Sequence, residues 1–350
     1  MVPRRKILRL FVKIPIFAIQ KFRLQIMHKT PAALTSIRNF SMLVIFLLLF
    51  AGKCNRGYRK IAEEKERKAA EAVHTKKLLK SIRGIGYTEV KRTFDNGLSF
   101  SPVGFQLVPE WRITFTKDSV NIFSPKKNKF LNAPVVFDHD SIFNVAWAWL
   151  KLRYIKKDSI QFMVLHVNDR VIEDEKVHVY MTFYTNDYIK NTLHSDTNML
   201  RRPSRRDTEY IKAKTLLANR IPDSAYAGTQ PVVLKSRSPL VAVTKEVTPP
   251  DDVNGGKIYD DYLSPTFNVA IHHAYDDFGY SFTAFVDEKG NITFRKSINY
   301  ISPEYKKTLT ETMTAITNGY LKLYLDVTPA RTLGIPHTSI IFLNVAGYKK

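Results

Sequence analysis

Eleven uncharged residues, Met42–Gly52 (MLVIFLLLFAG), set the first limit on what this 350-residue chain can fold into. A bilayer core needs about 20 apolar residues, so the run is too short for an ordinary span. Ten Lys/Arg lie between Met1 and Lys53, and the first acid is Glu63. A basic leader, a short apolar core and the small residues Ala51-Gly52 describe a secretory signal. Such a segment is an address and is set apart from the fold. Counted from Met27, the distance to Cys54 is that of a usual signal, with His28, Lys29 and Arg38 as its positive region; Met42 is a second possible start. Residues 7–26 mix apolar and basic side chains, so they read either as an upstream extension or as an interfacial amphipathic helix.

The apolar run ends at Ala51-Gly52, close to Cys54, the only cysteine in the chain, and Asn55 follows. In this the segment resembles a bacterial lipoprotein signal. That resemblance implies lipidation at Cys54 and a membrane-anchored protein of the bacterial cell envelope facing the periplasm. An uncleaved Met42–Gly52 anchor is the alternative. With one cysteine, the chain forms no internal disulfide that would report its compartment.

The net charge of +22 suggests a polyanion binder at first sight. Thirteen of those charges fall in the acid-free first 62 residues, leaving +9 for the rest. The compact cluster Arg201, Arg202, Arg205 and Arg206 is broken by Pro203-Ser204 and reads as a solvated loop. Nucleic acid is therefore not the expected partner; headgroups or anionic envelope polymers suit the charge better.

Beyond the signal or anchor (residues 1–54), the pattern divides the chain. Residues 55–84 are charged and rich in helix formers, which predicts a helical stalk ending at Gly84 and Gly86. Residues 87–220 alternate with period two at Ile113, Phe115, Val120, Ile122, Leu150, Leu152, Ile160, Phe162, Met181 and Phe183. This predicts an antiparallel meander, barrel or curved sheet, ending in a helix. Trp147 and Trp149 share a face and read as core. Residues 221–265, with six prolines and Asn254-Gly255-Gly256, read as a linker.

Residues 266–350 carry the clearest pattern. An alternating strand ends at Val286, and Asp287-Glu-Lys-Gly290-Asn291 supplies a hairpin turn. Ser302-Pro303 opens a helix striped by Tyr305, Leu309, Met313 and Ile316, and Asn318-Gly319 closes it. Leu321, Leu323, Leu325 and Val327 then alternate, and Ser339–Leu343 gives the last strand. Pro329-Ala330, Gly334-Ile335-Pro336 and Phe342 complete an order that resembles the C-terminal domain of TonB-type energy transducers over residues 266–346. The resemblance implies an α+β chain with a ββαββ module that contacts other proteins by strand addition. The expected edge is Thr338–Val345, centred on Ile340, Ile341, Phe342 and Leu343.

Candidate chemistry is sparse. Asp138-His139-Asp140 beside Ser141 alternates across a strand or lies in a turn, so its three side chains do not converge. His273 and Asp277 would share a face with i, i+4 spacing if helical, next to His272 and Asp276, but a metal site needs further ligands. Ser204 lacks the flanking glycines of a nucleophile elbow, and Gly84-Ile-Gly86 lacks the third glycine of a dinucleotide turn. The sequence thus reads as a non-enzymatic envelope protein with no catalytic, cofactor or metal residues assigned. Its partners would be a membrane and an unidentified envelope protein. A pocket with converging polar groups in residues 95–185 would instead indicate an envelope ligand-binding protein or hydrolase.

Overall fold

The computed structural model describes residues 58–124, 127–146, 148–168, 171–172, 178–247 and 260–349. Cys54, the Met42–Gly52 run and Trp147 lie outside these residues. The chain separates into two compact units, residues 1–67 and 68–350. In the first, residues 58–67 are helical and almost wholly exposed.

The described residues are mostly β, with 40 % strand against 29 % helix, which replaces the expected α+β class. Strands β1 (Gly86–Phe94), β2 (Arg112–Phe115), β3 (Ser119–Ser124), β4 (Lys129–Phe137), β5 (Ile142–Val145), β6 (Ala148–Ile155), β7 (Ser159–Leu165) and β10 (Val179–Thr185) close an antiparallel barrel. A small hairpin, β8 (Val167–Asn168) and β9 (Val171–Ile172), leaves it between β7 and β10. Closure comes from β1 pairing with both β2 and β10. One face of each strand fills the interior. Phe143 packs edge-on to Phe162 at 5.7 Å, and Phe162 edge-on to Phe183 at 5.6 Å. Ile113, Val120, Leu150, Ile160 and Met181 complete this core.

Among the described residues no free-standing stalk is seen. The helix that ends at residue 81 places Leu79, only 5 % exposed, and the following Ile82 in the barrel core. Gly84 N–H then donates to Phe115 O at 2.9 Å. The apolar residues of a charged helix are thus used to cover one end of the barrel, and that burial stabilises the covered state.

The described parts of the stretch expected as a linker, residues 221–247 and 260–265, carry strands and short helices. Within it, β11 (Val233–Ser236) pairs with β16 (Leu325–Thr328), and β12 (Val241–Lys245) pairs with β13 (Thr266–His272). The main C-terminal sheet runs β12-β13-β19-β14-β15, with β14 at Phe278–Val286, β15 at Ile292–Ser297 and β19 at Ser339–Tyr348. The ββαββ order expected from the TonB resemblance is therefore corrected: two strands precede the hairpin, and β16 lies outside the main sheet. The strand holding Ile340, Ile341, Phe342 and Leu343 is central, not an edge. It is parallel to β13 on one side and antiparallel to β14 on the other, so its backbone is already paired on both sides.

The helix Pro303–Ile316 buries Met313 and Ile316 with the sheet residues Phe282, Ile341 and Leu343. It does not stop at Asn318-Gly319. A π-turn over Thr317–Leu321 carries it on to Tyr324, and strand begins only at Leu325. A second small hairpin, β17 (Arg331–Thr332) with β18 (Ile335–Pro336), leads into β19.

Candidate functional site

Most sequence-nominated residues do not come together. In the turn after β4, His139 Nδ1 lies 2.8 Å from Asp138 Oδ2, an exposed contact between neighbours. Asp140 takes positive φ and donates its N–H to Lys68 O. The second cluster is not helical. His272 ends β13 and stacks on Tyr348, His273 turns the chain at a φ of 54°, and Asp277 Oδ1 accepts from Lys349 N–H at 2.8 Å. Among the described residues, no three His, Cys, Asp or Glu side chains are grouped as metal ligands. Ser204 is a helix cap. Its Oγ accepts from Asp207 N–H, and Asp207 Oδ2 accepts back from Ser204 N–H, forming the capping box of the helix Arg205–Arg220.

The arginine cluster is not simply a solvated loop, because Arg201 reaches the barrel. Its Nε donates to Glu89 O at 2.8 Å. Glu89 is fully buried on β1. Arg92 Nε and Nη2 donate to its two carboxylate oxygens, each at 2.7 Å. Oε2 also accepts from the N–H groups of Glu110, at 2.8 Å, and Trp111, at 2.9 Å. The reason is local. β1 and β2 share only the pairs Gly86–Thr88, and on its other side β1 bulges against β10 between Glu89 and Lys91. The Glu89 carboxylate takes the amides that the ladder no longer serves. Burial lowers the Arg201 pKa and Glu89 opposes that shift; Arg112, Glu110 and Arg92 also act on it.

This network stands beside an open pocket of about 370 Å³ at the end of the barrel away from the covering helix. Arg92 and Met181 line it from inside the barrel, and Trp111, Trp149 and Leu165 from the rim. Trp149 is thus a half-buried wall residue, not core: it pairs with Leu165 on the face opposite Leu150 and Leu152. The sequence reading missed Glu89 and Arg92. The available signal was an acid inside an apolar strand with an arginine three residues on.

A second polar centre fixes the helix Arg205–Arg220 to the C-terminal sheet. His337 is fully buried between β18 and β19, and its ring stacks on Tyr226 with centroids 3.8 Å apart and planes 7° apart. Its Nε2 lies 3.0 Å from Thr332 Oγ1 and its Nδ1 3.1 Å from Thr338 O. Tyr226 OH meets Thr215 Oγ1 at 2.8 Å, and Asn219 Oδ1 accepts from Thr338 N–H at 2.8 Å. Burial pulls the His337 pKa down to about 4, with Lys214 adding to the shift, so the ring is neutral near pH 7. Its environment is closed, which suits a structural clamp.

The C-terminal module also has an open groove of about 460 Å³ on the outer side of its helix, lined by Tyr275, Ala315, Gly319, Tyr320, Leu323 and Tyr324. Tyr275 is 60 % and Leu323 63 % exposed, both large values for side chains of this size. The π-turn brings Gly319 and Tyr320, and the helical turn after it Leu323 and Tyr324, to the same groove. Among the described residues, no helix is long and apolar enough to cross a membrane. Compared with known proteins, the chain matches no family model, no curated protein and no solved structure.

Proposed function

We propose that this is a non-enzymatic protein of the bacterial cell envelope, held at a membrane through lipidated Cys54 or an uncleaved Met42–Gly52 segment, facing the periplasm and acting by protein contact. The acid-free leader and the apolar run ending near the single cysteine support the address. The exposed aromatic groove of the C-terminal module carries the contact role. Exposed apolar patches with a polar surround mark interaction sites, and aromatic side chains are enriched in them. Since β19 is internal, the groove is the better contact surface than Ile340–Leu343.

The experiment is photo-crosslinking in cells, with a photoreactive residue at Leu323 and, as control, at Lys289. A discrete protein adduct at Leu323 alone is expected. No adduct at either position, or the same adducts at both, would overturn the contact role. Metabolic labelling with a fatty acid tests the anchor: label on the wild type and none on Cys54→Ser supports lipidation. No label on either would assign the anchor to Met42–Gly52.

A further inference from the structure

We propose that the open mouth of the barrel binds a small amphiphilic anion, an aromatic or apolar body carrying one acid group. This inference stands apart from the contact role of the C-terminal groove.

Shape comes first. One end of the barrel is covered by the helix bearing Leu79, and the interior is filled by Phe143, Phe162 and Phe183. The room that remains is at the other end, in the pocket of about 370 Å³. That volume is within the range of small-molecule sites, which run from about 300 to 1,000 Å³ and often lie in barrel mouths.

Lining decides the body of the ligand. Val164 and Met181 form an apolar floor, Trp111 packs against the core at the rim, and Trp149 borders the mouth from the outer face of its strand. Indole faces and edges suit an aromatic or flat apolar group, which they desolvate at little conformational cost.

Charge decides the head group. Arg92 lines the pocket, and its partner Glu89 takes two of the five N–H donors of the guanidinium. Arg112, Arg201 and Glu110 line a neighbouring pocket, joined to this one through the Arg201 hydrogen bonds to Glu89 O and Trp111 O. Across the two adjoining pockets Arg92, Arg112 and Arg201 outnumber Glu89 and Glu110 by one positive charge, with Arg92 the one that lines the barrel mouth. A cleft with low-dielectric walls concentrates such an excess, and an acid group on the ligand matches it. A guanidinium is also the side chain best shaped to hold a carboxylate.

The test uses the full chain in detergent with benzophenone-4-carboxylate as a photoreactive probe and benzophenone as its uncharged counterpart. After irradiation, labelled peptides are mapped by mass spectrometry. The expected result is saturable labelling in residues 148–167 and around Met181, about tenfold stronger for the carboxylate than for benzophenone at equal concentration. Ala148 also lines the pocket, and Ala148→Phe, which fills it, should remove the labelling. Labelling that does not saturate, that falls elsewhere, or that is equal for the two probes would overturn the proposal. So would unchanged labelling of a folded Ala148→Phe chain. Should that variant fail to fold by near-ultraviolet circular dichroism, the map and the probe comparison on the wild-type chain decide the matter.

Discussion

At the scale of single residues, two buried polar groups do structural work that their neighbours in sequence do not announce. Glu89 accepts from Arg92 and from two backbone amides where the β1–β2 ladder stops. Removing one partner of a buried pair leaves the other charge uncompensated, so Glu89→Ala should cost about 3–5 kcal/mol in urea unfolding. Lys91→Ala, on the exposed side of the same strand, should cost little. Equal small losses would mean that the carboxylate does not close the barrel. His337 makes a prediction in pH. Its folded pKa of about 4 is below the unfolded value near 6.5, so protonation favours the unfolded chain. The stability it preserves is complete above about pH 6.5 and is lost as pH falls toward about 4, a change of about 3 kcal/mol over that window. His337→Gln should flatten that part of the stability–pH curve. A wild-type curve that is already flat there would contradict the buried neutral ring.

At the scale of elements, the parts that could be read were those whose pattern is local. Ile113, Phe115, Val120 and Ile122 alternate, and they do face the barrel core. Asp287 accepts from Lys289 and Asn291 N–H groups, and Gly290 takes a φ of 87°, as the Asp-to-Gly turn suggested. What could not be read depends on partners far along the chain. β12 is five residues long and mostly exposed, so its burial carries almost no period, and its pairing with β13 crosses the Pro-rich stretch. Gly319 looked like a helix end. It is absorbed into a π-turn because Leu321 and Leu325 still need the core. These placements set two outcomes. Met313→Ala should cost about 2–5 kcal/mol and Lys306→Ala little, because only Met313 faces the sheet. A fragment of residues 205–350 should unfold cooperatively. One of residues 266–350 lacks β11, β12 and the helix that holds His337, and it should be markedly less stable. Equal urea midpoints for the two fragments would show that these elements add nothing.

At the scale of the whole molecule, the sequence marked a β-rich region and a C-terminal module. The closure of the barrel was not legible, because β1 and β10 pair across about ninety residues of sequence and each strand alternates as it would in an open sheet. The chemical reading followed the same divide. Clusters adjacent in sequence, Asp138–Asp140 and His272–Asp277, proved to be turns and strand ends. The charged network that matters joins Glu89, Arg92 and Arg201 from distant segments. The central claim is an envelope protein held at a membrane by its first 54 residues. The most direct measurement is cell fractionation followed by N-terminal sequencing and mass determination of the native protein. The account predicts a chain that stays with membranes through salt washing, is released by detergent, and begins between Met27 and Cys54, with an added acyl mass if it begins at Cys54. A chain recovered in the soluble fraction and still beginning at Met1 would contradict it.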